Sequence, residues 1–259
     1  MISSTANPKV KELVQLKKKK KERDQQKAYL VEGLRMAREV PKADILKIYT
    51  TEKFYRSNRQ FFEKKQEPIL LSDTVFQYVS DTKTPQGILL VVRQRAYTEE
   101  DLMGQKNPCF LILENVQDPG NVGTILRSAE GAGISGILLS KDCADLYNPK
   151  TIRSTMGSIF RIPFCYTDDL KASILKLKNS NITLYSADLD GEASYDEATY
   201  QRACGFLIGN EGNGLTKEIS DLADEKIYIP MKGEVESLNA SIAATILMFE
   251  VARQRRREE

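Results

Sequence analysis

The second half of the chain alternates short apolar segments with longer helix-like stretches, and no other feature of the sequence constrains the fold as strongly. The apolar segments are hydrophobic on both faces, which is typical of strands in a parallel sheet covered by helices. Strands are predicted at residues 109–113, 136–140, 162–166, 182–187, 205–208 and 226–229. Helices are predicted at 122–132, 149–158, 169–179 and 215–223, with a long closing helix at 238–255. The pattern predicts an α/β domain on a parallel sheet.

The N-terminal 95 residues show a smaller α/β pattern. Asn7 and Pro8 are typical of a helix start, and Val10, Leu13 and Leu16 follow at helical spacing, so one basic amphipathic helix is predicted over 8–24. Strands are predicted at 28–31, 45–50, 69–71 and 87–92, with helices at 33–40, 56–65 and 73–80. Because residues 96–107 lack apolar periodicity, we expect three parts: a domain at 1–95, a linker at 96–107 and a second domain at 108–259.

Composition excludes several kinds of site. Histidine is absent, which removes the usual general base and the commonest metal ligand. The four cysteines form no C-x-x-C pair, so neither a zinc site nor a disulfide framework is expected. No apolar run approaches the roughly 18 residues that cross a bilayer, and the first residues do not resemble a signal peptide. We expect a cytoplasmic protein without a metal.

Positive charge is concentrated at the N-terminus. Residues 1–27 hold nine Lys or Arg against three Asp or Glu, a balance of +6, so the remainder carries 2 − 6 = −4 of the net charge of +2. The centre of this arm is the lysine run Lys17, Lys18, Lys19, Lys20 and Lys21. Such an arm favours a polyanionic partner, although a lysine run is also typical of a solvated helix face.

Three polar clusters follow predicted strands of the second domain. The first, E-N-V-Q-D-P-G-N-V-G-T-I-L-R-S-A at 114–129, brings polar side chains and loop amides to the carboxyl edge of the sheet, where α/β proteins bind ligands. It is also compatible with a plain turn in which Asn121 caps the helix and Arg127 lies on the surface.

The second cluster, F-L-I-G-N-E-G-N-G-L at 206–215, places three glycines in six positions after a buried strand. They permit close approach of a ligand to the main chain, or a merely flexible loop. The cluster matches neither G-x-x-x-x-G-K-[ST] nor G-x-G-x-x-G, which disfavours the usual phosphate-binding loops. The third cluster, I-P-M-K-G-E-V-E-S-L-N-A-S-I-A-A at 229–244, ends a strand and starts a helix at Ser237 or Asn239.

Together, in this order and spacing, the clusters resemble the motifs of the SpoU, or TrmH, branch of the SPOUT RNA methyltransferases. The matching patterns are N-x-G-x-x-x-R, I-G-N-E-G-x-G-L and I-P-M-x-G-x-x-x-S-L-N-x-S, spread over residues 109–259. A fainter resemblance, in N-P-x-V-K at 7–11 and L-V-E-G at 30–33, links the N-terminal segment to the small, ribosomal-protein-like substrate-binding domain found in many of these enzymes.

The resemblance implies a trefoil knot, in which the last helix passes through a preceding loop, and a homodimer whose active sites are completed by the partner. It implies S-adenosylmethionine as cofactor, held by the positions matching Gly209, Ile229 and Leu238. The reaction would be methyl transfer to a ribose 2′-oxygen of RNA. Ribosomal RNA, most specifically 23S rRNA, is the first choice of substrate because the extra N-terminal domain resembles those of rRNA-directed relatives.

The resemblance also supplies candidate catalytic residues. The family's arginine at the position of Arg127 is proposed to activate the hydroxyl, with Asn121, Glu211, Ser237 and Asn239 shaping the site. A guanidinium is a poor base, so we expect Arg127 to fix the ribose or its phosphate and leave the proton acceptor open. Arg153, after Asn148-Pro149, is either a further phosphate contact or a solvated surface residue.

Three alternatives stay open at this point. Transfer RNA is the second choice of substrate. A non-catalytic RNA-binding or ribosome-assembly factor would keep the fold without turnover, although the intact residues Asn121, Arg127, Glu211 and Asn239 argue against it. A dinucleotide-dependent oxidoreductase would need a glycine fingerprint after the first strand of the second domain, and the sequence has none there.

Overall fold

A computed structural model describes residues 1–63, 65–104, 106–235 and 237–256. The chain packs as two compact units, which are described separately. Unit 1 comprises Met1–Arg95 and Asp145–Phe160, and unit 2 comprises Ala96–Ala144 and the described chain from Arg161 onward. Within the described residues, no helix has the length and apolar character needed to cross a membrane.

The elements are numbered along the chain. The helices are α1 Pro8–Lys18, α2 Lys20–Gln26, α3 Leu34–Glu39, α4 Glu52–Ser57, α5 Arg59–Phe62, α6 Asp73–Val79, α7 Glu99–Leu102, α8 Pro119–Ala132, α9 Pro149–Thr155, α10 Leu170–Asn179, α11 Lys217–Ser220 and α12 Ala240–Arg255, with 3-10 turns at Lys42–Asp44 and Ser158–Phe160. The strands are β1 Ala28–Glu32, β2 Ile45–Thr51, β3 Ile69–Leu71, β4 Ile88–Arg93, β5 Cys109–Leu113, β6 Gly136–Ser140, β7 Phe164–Thr167, β8 Thr183–Ala187, β9 Ala193–Ser194, β10 Cys204–Ile208 and β11 Glu225–Tyr228.

Unit 1 is built on a four-stranded sheet in the order β1-β4-β2-β3. Strand β4 pairs antiparallel with β1 and β2, and β2 pairs parallel with β3. Val10, Leu13 and Leu16 of α1 are fully buried in the core of this unit, as their helical spacing predicts. The prediction of a small α/β unit at the N-terminus is confirmed.

The predicted single helix at 8–24 is wrong in one respect, because Lys19 takes an extended conformation (φ −120°, ψ 118°) and separates α1 from α2. The side chain of Arg23 explains the break. Its Nη1 donates to Leu16 O at 2.7 Å and to Lys17 O at 3.3 Å, so it satisfies carbonyls that a continuous helix would have bonded internally. The charged group is nearly fully buried in doing so.

Residues 145–160 lie inside the predicted second domain but pack as part of unit 1. Arg23 Nε donates to Asp145 Oδ2 at 3.0 Å, and the rings of Tyr29 and Tyr147 are 4.5 Å apart. Contacts between residues this far apart in the chain cannot be predicted from local sequence patterns. For this reason the domain boundaries predicted from the sequence assigned residues 145–160 to the second domain.

Unit 2 is built on a seven-stranded, fully parallel sheet in the order β7-β6-β5-β10-β8-β11-β9. Six of these strands correspond to the six predicted ones, which confirms the expected α/β fold. The two-residue β9 is too short to produce an alternation signal. The chain runs from β5 outward to β7 and then returns to fill the other side, so the strand order reverses beside β5 and β10.

The predicted linker contains the short helix α7. Thr98 and Asp101 form a reciprocal capping box, and Leu102 is buried in the core of unit 2. Glu99 accepts a hydrogen bond from the Ser173 hydroxyl at 2.5 Å. A four-residue helix completes little more than one turn, so it leaves no helical periodicity in the sequence.

Candidate active site

A cleft of about 390 Å³ opens at the carboxyl edge of the unit 2 sheet, where β8, β10 and β11 end. This is the side of an α/β sheet where ligands bind, close to the reversal of strand order. It is lined by Ala187, Asp188, Leu189, Asp190, Ile208, Gly209, Asn210, Glu211, Gly212, Asn213, Gly214, Leu215, Ile227, Tyr228, Ile229, Met231, Ser237, Leu238, Ala240, Ala243 and Leu247. The structure thus brings together Gly209, Ile229 and Leu238, the three positions expected to hold the cofactor.

The glycine loop after β10 is closed on itself. Asn210 and Gly214 exchange two backbone hydrogen bonds of 2.9 Å, and Gly214 has a positive φ of 66°. A Cβ at Gly209 would lie 2.1 Å from the Gly214 carbonyl carbon and 2.2 Å from Leu215 N. Only glycine fits at position 209, and the cleft wall there is main chain.

Two side chains tie this loop to the one after β5. Asn210 Nδ2 donates to Asn115 O at 2.9 Å, and its Oδ1 accepts from Gly212 N at 2.8 Å. On the other side of the loop, the Glu114 carboxylate accepts from Thr216 N and Thr216 Oγ1, both at 2.7 Å. Hydrogen bonds therefore connect the loops of the first and second sequence clusters to each other.

A chain of hydrogen bonds joins the three clusters. Asn121 Nδ2 donates to Glu211 Oε1 at 2.7 Å, and Asn239 Nδ2 donates to Asn121 Oδ1 at 3.0 Å. Helix α8 is capped by Asp118, whose Oδ1 accepts from Asn121 N at 2.9 Å. The alternative in which Asn121 caps α8 is wrong, and its side-chain amide is committed to Glu211.

Asn239 has a second task as the N-cap of α12. Its Oδ1 accepts from Ser241 N at 2.9 Å and from Ser241 Oγ at 2.7 Å. Of the two predicted helix starts, Ser237 and Asn239, the structure therefore has Asn239. Ser237, two residues earlier, is exposed and lines the cleft.

Arg127 stands apart from this assembly. It lies on the exposed side of α8, and it is absent from the cleft lining. Six residues separate it from Asn121, which corresponds to about 9 Å along a helix and a third of a turn around it. Within the described chain, its guanidinium forms no ion pair or hydrogen bond with Asn121, Glu211 or Asn239.

The part of the lining that follows β8 was not predicted from the sequence. Asp188 and Asp190 belong to it, together with the exposed Leu189. The signal available was two aspartates directly after a predicted parallel strand, at the edge where the other clusters end. Asp188 Oδ2 accepts from Ser220 Oγ at 2.9 Å, and its Oδ1 accepts from Asp190 N at 3.2 Å.

Among the lining residues that the structure describes, every charged side chain is negative. Asp188, Asp190 and Glu211 contribute carboxylates, and none of the described lining residues is Lys or Arg. Apolar surface comes from Leu189 and Ile229, among others. This combination suits a ligand with an aromatic part and positive charge, and it disfavours a dinucleotide with its phosphates. No cluster of three or more Cys, Asp or Glu that could hold a metal ion occurs among the described residues.

The predicted RNA-binding residues lie in unit 1. Lys18, Lys19, Lys20 and Lys21 are exposed. Lys17 is half-buried, and its ammonium donates to Ser80 O at 2.8 Å and to Tyr78 O at 3.2 Å; burial lowers its pKa. Arg153 is also engaged, because its Nη1 lies 2.6 Å from Asp81 Oδ2.

Comparison with known proteins agrees with this architecture. Residues 108–249 match the model of the SpoU rRNA Methylase family, and residues 7–90 match an MRM3-like substrate binding domain. The chain belongs to the SpoU rRNA methylase family. The expected family and enzyme class are thereby confirmed, and the second match covers most of the predicted N-terminal domain.

Other SpoU methyltransferases resemble the chain along nearly its full length. The 23S rRNA (guanosine(2553)-2'-O)-methyltransferase RlmP of Bacillus subtilis is 33% identical over 248 residues, which cover 96% of this chain and 97% of that protein. The structure of AviRb from Streptomyces viridochromogenes in complex with AdoMet has a TM-score of 0.87 at 25% identity, covering 96% and 98% of the two chains. An AdoMet-bound rRNA methyltransferase from Sinorhizobium meliloti has a TM-score of 0.85 at 28% identity, with 97% of each chain covered.

The cleft of this SpoU-family chain fits S-adenosylmethionine, which carries a purine, a sulfonium, an ammonium group and one carboxylate, and therefore a net positive charge. Its volume is in the usual range of about 300–1,000 Å³ for small-molecule sites. Gly209 leaves main chain exposed for close approach, the apolar lining suits the purine, and the carboxylates of Asp188 and Asp190 complement the two cations. Gly209, Ile229 and Leu238 are the residues that would hold it.

Proposed function

We propose that this protein transfers the methyl group of S-adenosylmethionine to a ribose 2′-hydroxyl of RNA, with 23S rRNA as substrate. The observation that carries this proposal is the cleft that combines the main-chain wall at Gly209 with carboxylates and no cation in its described lining. A cleft of this kind suits a cationic adenosine derivative. The names of the relatives support the choice of rRNA. We place the reaction in the cytoplasm, where ribosomal RNA is available.

The residues of the chain supply positioning more than reactivity. When bound, S-adenosylmethionine supplies an electrophilic methyl group. Asn121 and Asn239 hold Glu211 in one orientation beside the cleft, and Ser237 shapes its rim. Orientation of this type is a large contribution to catalysis for an in-line transfer. We assign Arg127 to the ribose or its adjoining phosphate, since a guanidinium stays protonated and binds phosphate well.

The proposed RNA contact in unit 1 is the exposed run Lys18, Lys19, Lys20 and Lys21. Lysines at a phosphate backbone give affinity with little sequence information. Lys17 and Arg153 belong to the same predicted set. Their head groups are held by backbone carbonyls and by Asp81 in unit 1, so contact with RNA would require them to exchange these partners.

We further propose that the active enzyme is a homodimer with a trefoil knot at α12, as the family resemblance implies. The support for dimerisation is apolar surface on α12, where Ile242 and Phe249 are 49% and 45% exposed. They are seven residues apart and therefore on one face of the helix. Phe249 lies 3.7 Å from the Cβ position of Gly131 on α8. Arg127 is one turn before Gly131, which places it at the border of this face, where it would serve the partner's cleft.

The test is to incubate the protein with labelled S-adenosylmethionine and unmodified 23S rRNA or tRNA. The expected result is label in rRNA at one alkali-resistant 2′-O-methyl position. Label in tRNA alone would replace the substrate and keep the reaction. Cofactor binding without transfer to either RNA would favour a non-catalytic RNA-binding or assembly factor instead. Sedimentation at the same protein concentration checks the homodimer.

A further inference from the structure

The carboxylate of Glu211 is held at one oxygen and uncommitted at the other. Oε1 accepts from Asn121 Nδ2 at 2.7 Å and from Asp118 N at 3.4 Å. Oε2 accepts no hydrogen bond from any residue that the structure describes. The side chain is half-buried and lines the cleft. A fixed carboxylate with one open oxygen is suited to accept a hydrogen bond from a bound ligand.

The orientation of Glu211 is dictated by a one-way series of donors. Asn239 Oδ1 already accepts from Ser241 N and Ser241 Oγ, so its Nδ2 must face Asn121. Asn121 Oδ1 is then the acceptor, and its Nδ2 must face Glu211. An amide reversed at either asparagine would set two acceptors or two donors against each other. Asn121 and Asn239 are therefore positioning residues for Glu211.

Other candidate bases in the cleft fit less well. The sequence has no histidine. Asp188 is bonded at both oxygens, to Ser220 Oγ and to Asp190 N, and Asp190 is exposed to solvent. Arg127 is absent from the cleft lining, and a guanidinium is a poor base. Glu211 is the carboxylate that combines partial burial, a fixed orientation and an open oxygen.

We propose that Glu211 is a catalytic residue that accepts the proton of the ribose 2′-hydroxyl through Oε2, an inference that rests on the proposed methyl transfer. The bond between the 2′-oxygen and the methyl carbon forms as the carbon–sulfur bond breaks, and the electron pair of that bond goes to sulfur. The 2′-hydroxyl proton goes to Oε2. The products are a 2′-O-methyl ribose, a neutral thioether and a neutral carboxylic acid.

Charge balance favours this acceptor. The reactants bring one positive sulfonium and one negative carboxylate to the cleft, and both charges disappear in the same reaction. A neutral base would instead become a cation on taking the proton, so one positive charge would remain in the cleft. A carboxylate is also strong enough for the task, because an alcohol oxygen becomes much more acidic as its bond to the methyl group forms.

The experiment compares Glu211→Gln with Glu192→Gln, an exposed carboxylate of unit 2 that is absent from the cleft lining. Glutamine preserves the size of the side chain and an oxygen for Asn121, but it cannot take up a proton. We expect the single-turnover rate with saturating cofactor to fall by at least about 100-fold in Glu211→Gln, the usual lower range for loss of a general base. Calorimetric affinity for S-adenosylmethionine should be retained, and Glu192→Gln should match the wild type in both measurements.

A third variant, Glu211→Ala, tests proton acceptance directly. Formate added to this variant should restore transfer in proportion to its concentration, which a purely structural carboxylate would not allow. Wild-type rates in Glu211→Gln, loss of cofactor affinity in that variant, or failure of formate to restore Glu211→Ala would each overturn the inference and leave the proposed function standing. Absence of transfer by the wild-type protein to rRNA or tRNA would overturn both.

Discussion

Asn239 donates a 3.0 Å hydrogen bond to Asn121 although 118 positions separate them in the chain, and the same side chain caps α12. One residue thus serves both helix stability and the orientation of the polar series that ends at Glu211. The two roles use different atoms, since Oδ1 caps the helix and Nδ2 contacts Asn121. They are therefore separable by substitution.

Asn239→Asp should separate them. Aspartate is as good an N-cap as asparagine, so the melting temperature should stay near that of the wild type. The new carboxylate cannot donate to Asn121 and would repel Asn121 Oδ1, so we expect methyl transfer to slow by about tenfold, the equivalent of one hydrogen bond of about 1.4 kcal/mol.

Asn239→Ala removes both interactions, so it should slow methyl transfer and also lower the free energy of unfolding by about 1 kcal/mol. Thermal unfolding and single-turnover assays measure the two effects, and equal rates in Asn239→Asp and the wild type would argue against the positioning role.

Gly209→Ala should impair cofactor binding. The added methyl group would lie 2.1 Å from the main chain at Gly214, so the loop must move. Overpacking of this kind costs about 1–3 kcal/mol, which corresponds to roughly 5–150-fold in affinity if the cost falls on the bound state. Titration calorimetry with S-adenosylmethionine measures it. Gly104→Ala is the control, because nothing lies within 4 Å of its Cβ position and it is absent from the cleft lining; similar losses in both variants would contradict the steric explanation.

Arg127→Ala should abolish methyl transfer while cofactor binding survives, because the residue is absent from the cleft lining of its own chain. Arg127→Lys keeps the charge but loses the two-pronged contact with phosphate, so it should recover only part of the rate. Radiolabel transfer and calorimetry on the same samples provide the comparison. A loss of cofactor affinity in Arg127→Ala would show that the residue is structural.

The double variant Lys18→Gln with Lys19→Gln should reduce the salt dependence of RNA binding. If both lysines contact phosphates, the slope of log K against log salt should fall by about 1.4, or 0.7 per contact with single-stranded RNA. The control is Lys171→Gln with Lys176→Gln, which removes the same charge from exposed positions on α10. Filter binding over a range of salt concentrations gives both slopes, and equal slopes would place the RNA contact elsewhere.

Asp145→Asn should destabilise the protein by about 3 kcal/mol, because it leaves the buried guanidinium of Arg23 without its counter-charge. Asp81→Asn is the matched control in unit 1. It breaks the pair with Arg153, in which both side chains are 38% exposed, so its cost should stay below about 1 kcal/mol. Urea denaturation measures the loss of unfolding free energy in both variants. Equal losses would show that the buried Arg23–Asp145 pair stabilises the protein no more than the exposed pair does.

Much of the fold was predictable because it depends on local patterns. The strands of unit 2 are buried on both faces, so their apolar runs mark them without knowledge of their neighbours. The order of the strands and the meeting of three clusters at one edge followed from the family resemblance, not from periodicity. The break at Lys19 was not predictable, since it depends on Arg23 folding back onto carbonyls of the preceding helix.

The sequence predicted part of the candidate site, but not the hydrogen bonds that connect its residues or the position of Arg127 outside the cleft lining. Gly209, Ile229 and Leu238 line one cleft as expected. The direction of the hydrogen bonds from Asn239 through Asn121 to Glu211 depends on how two amides are oriented, which residue identity does not specify. Asp188 and Asp190 were not predicted because the segment that contains them matches no known motif.

The packing of residues 145–160 with the first 95 residues bears on how such a chain can be divided. If the chain were divided near residue 107, between the two segments that match family models, Arg23 would lie in one fragment and Asp145 in the other. The N-terminal fragment would then keep a buried cation with no anion to neutralise it. The N-terminal unit, which matches a substrate binding domain over residues 7–90, therefore depends on a segment from the second half of the chain, and grafting it onto another methyltransferase would require residues 145–160 to be transferred with it.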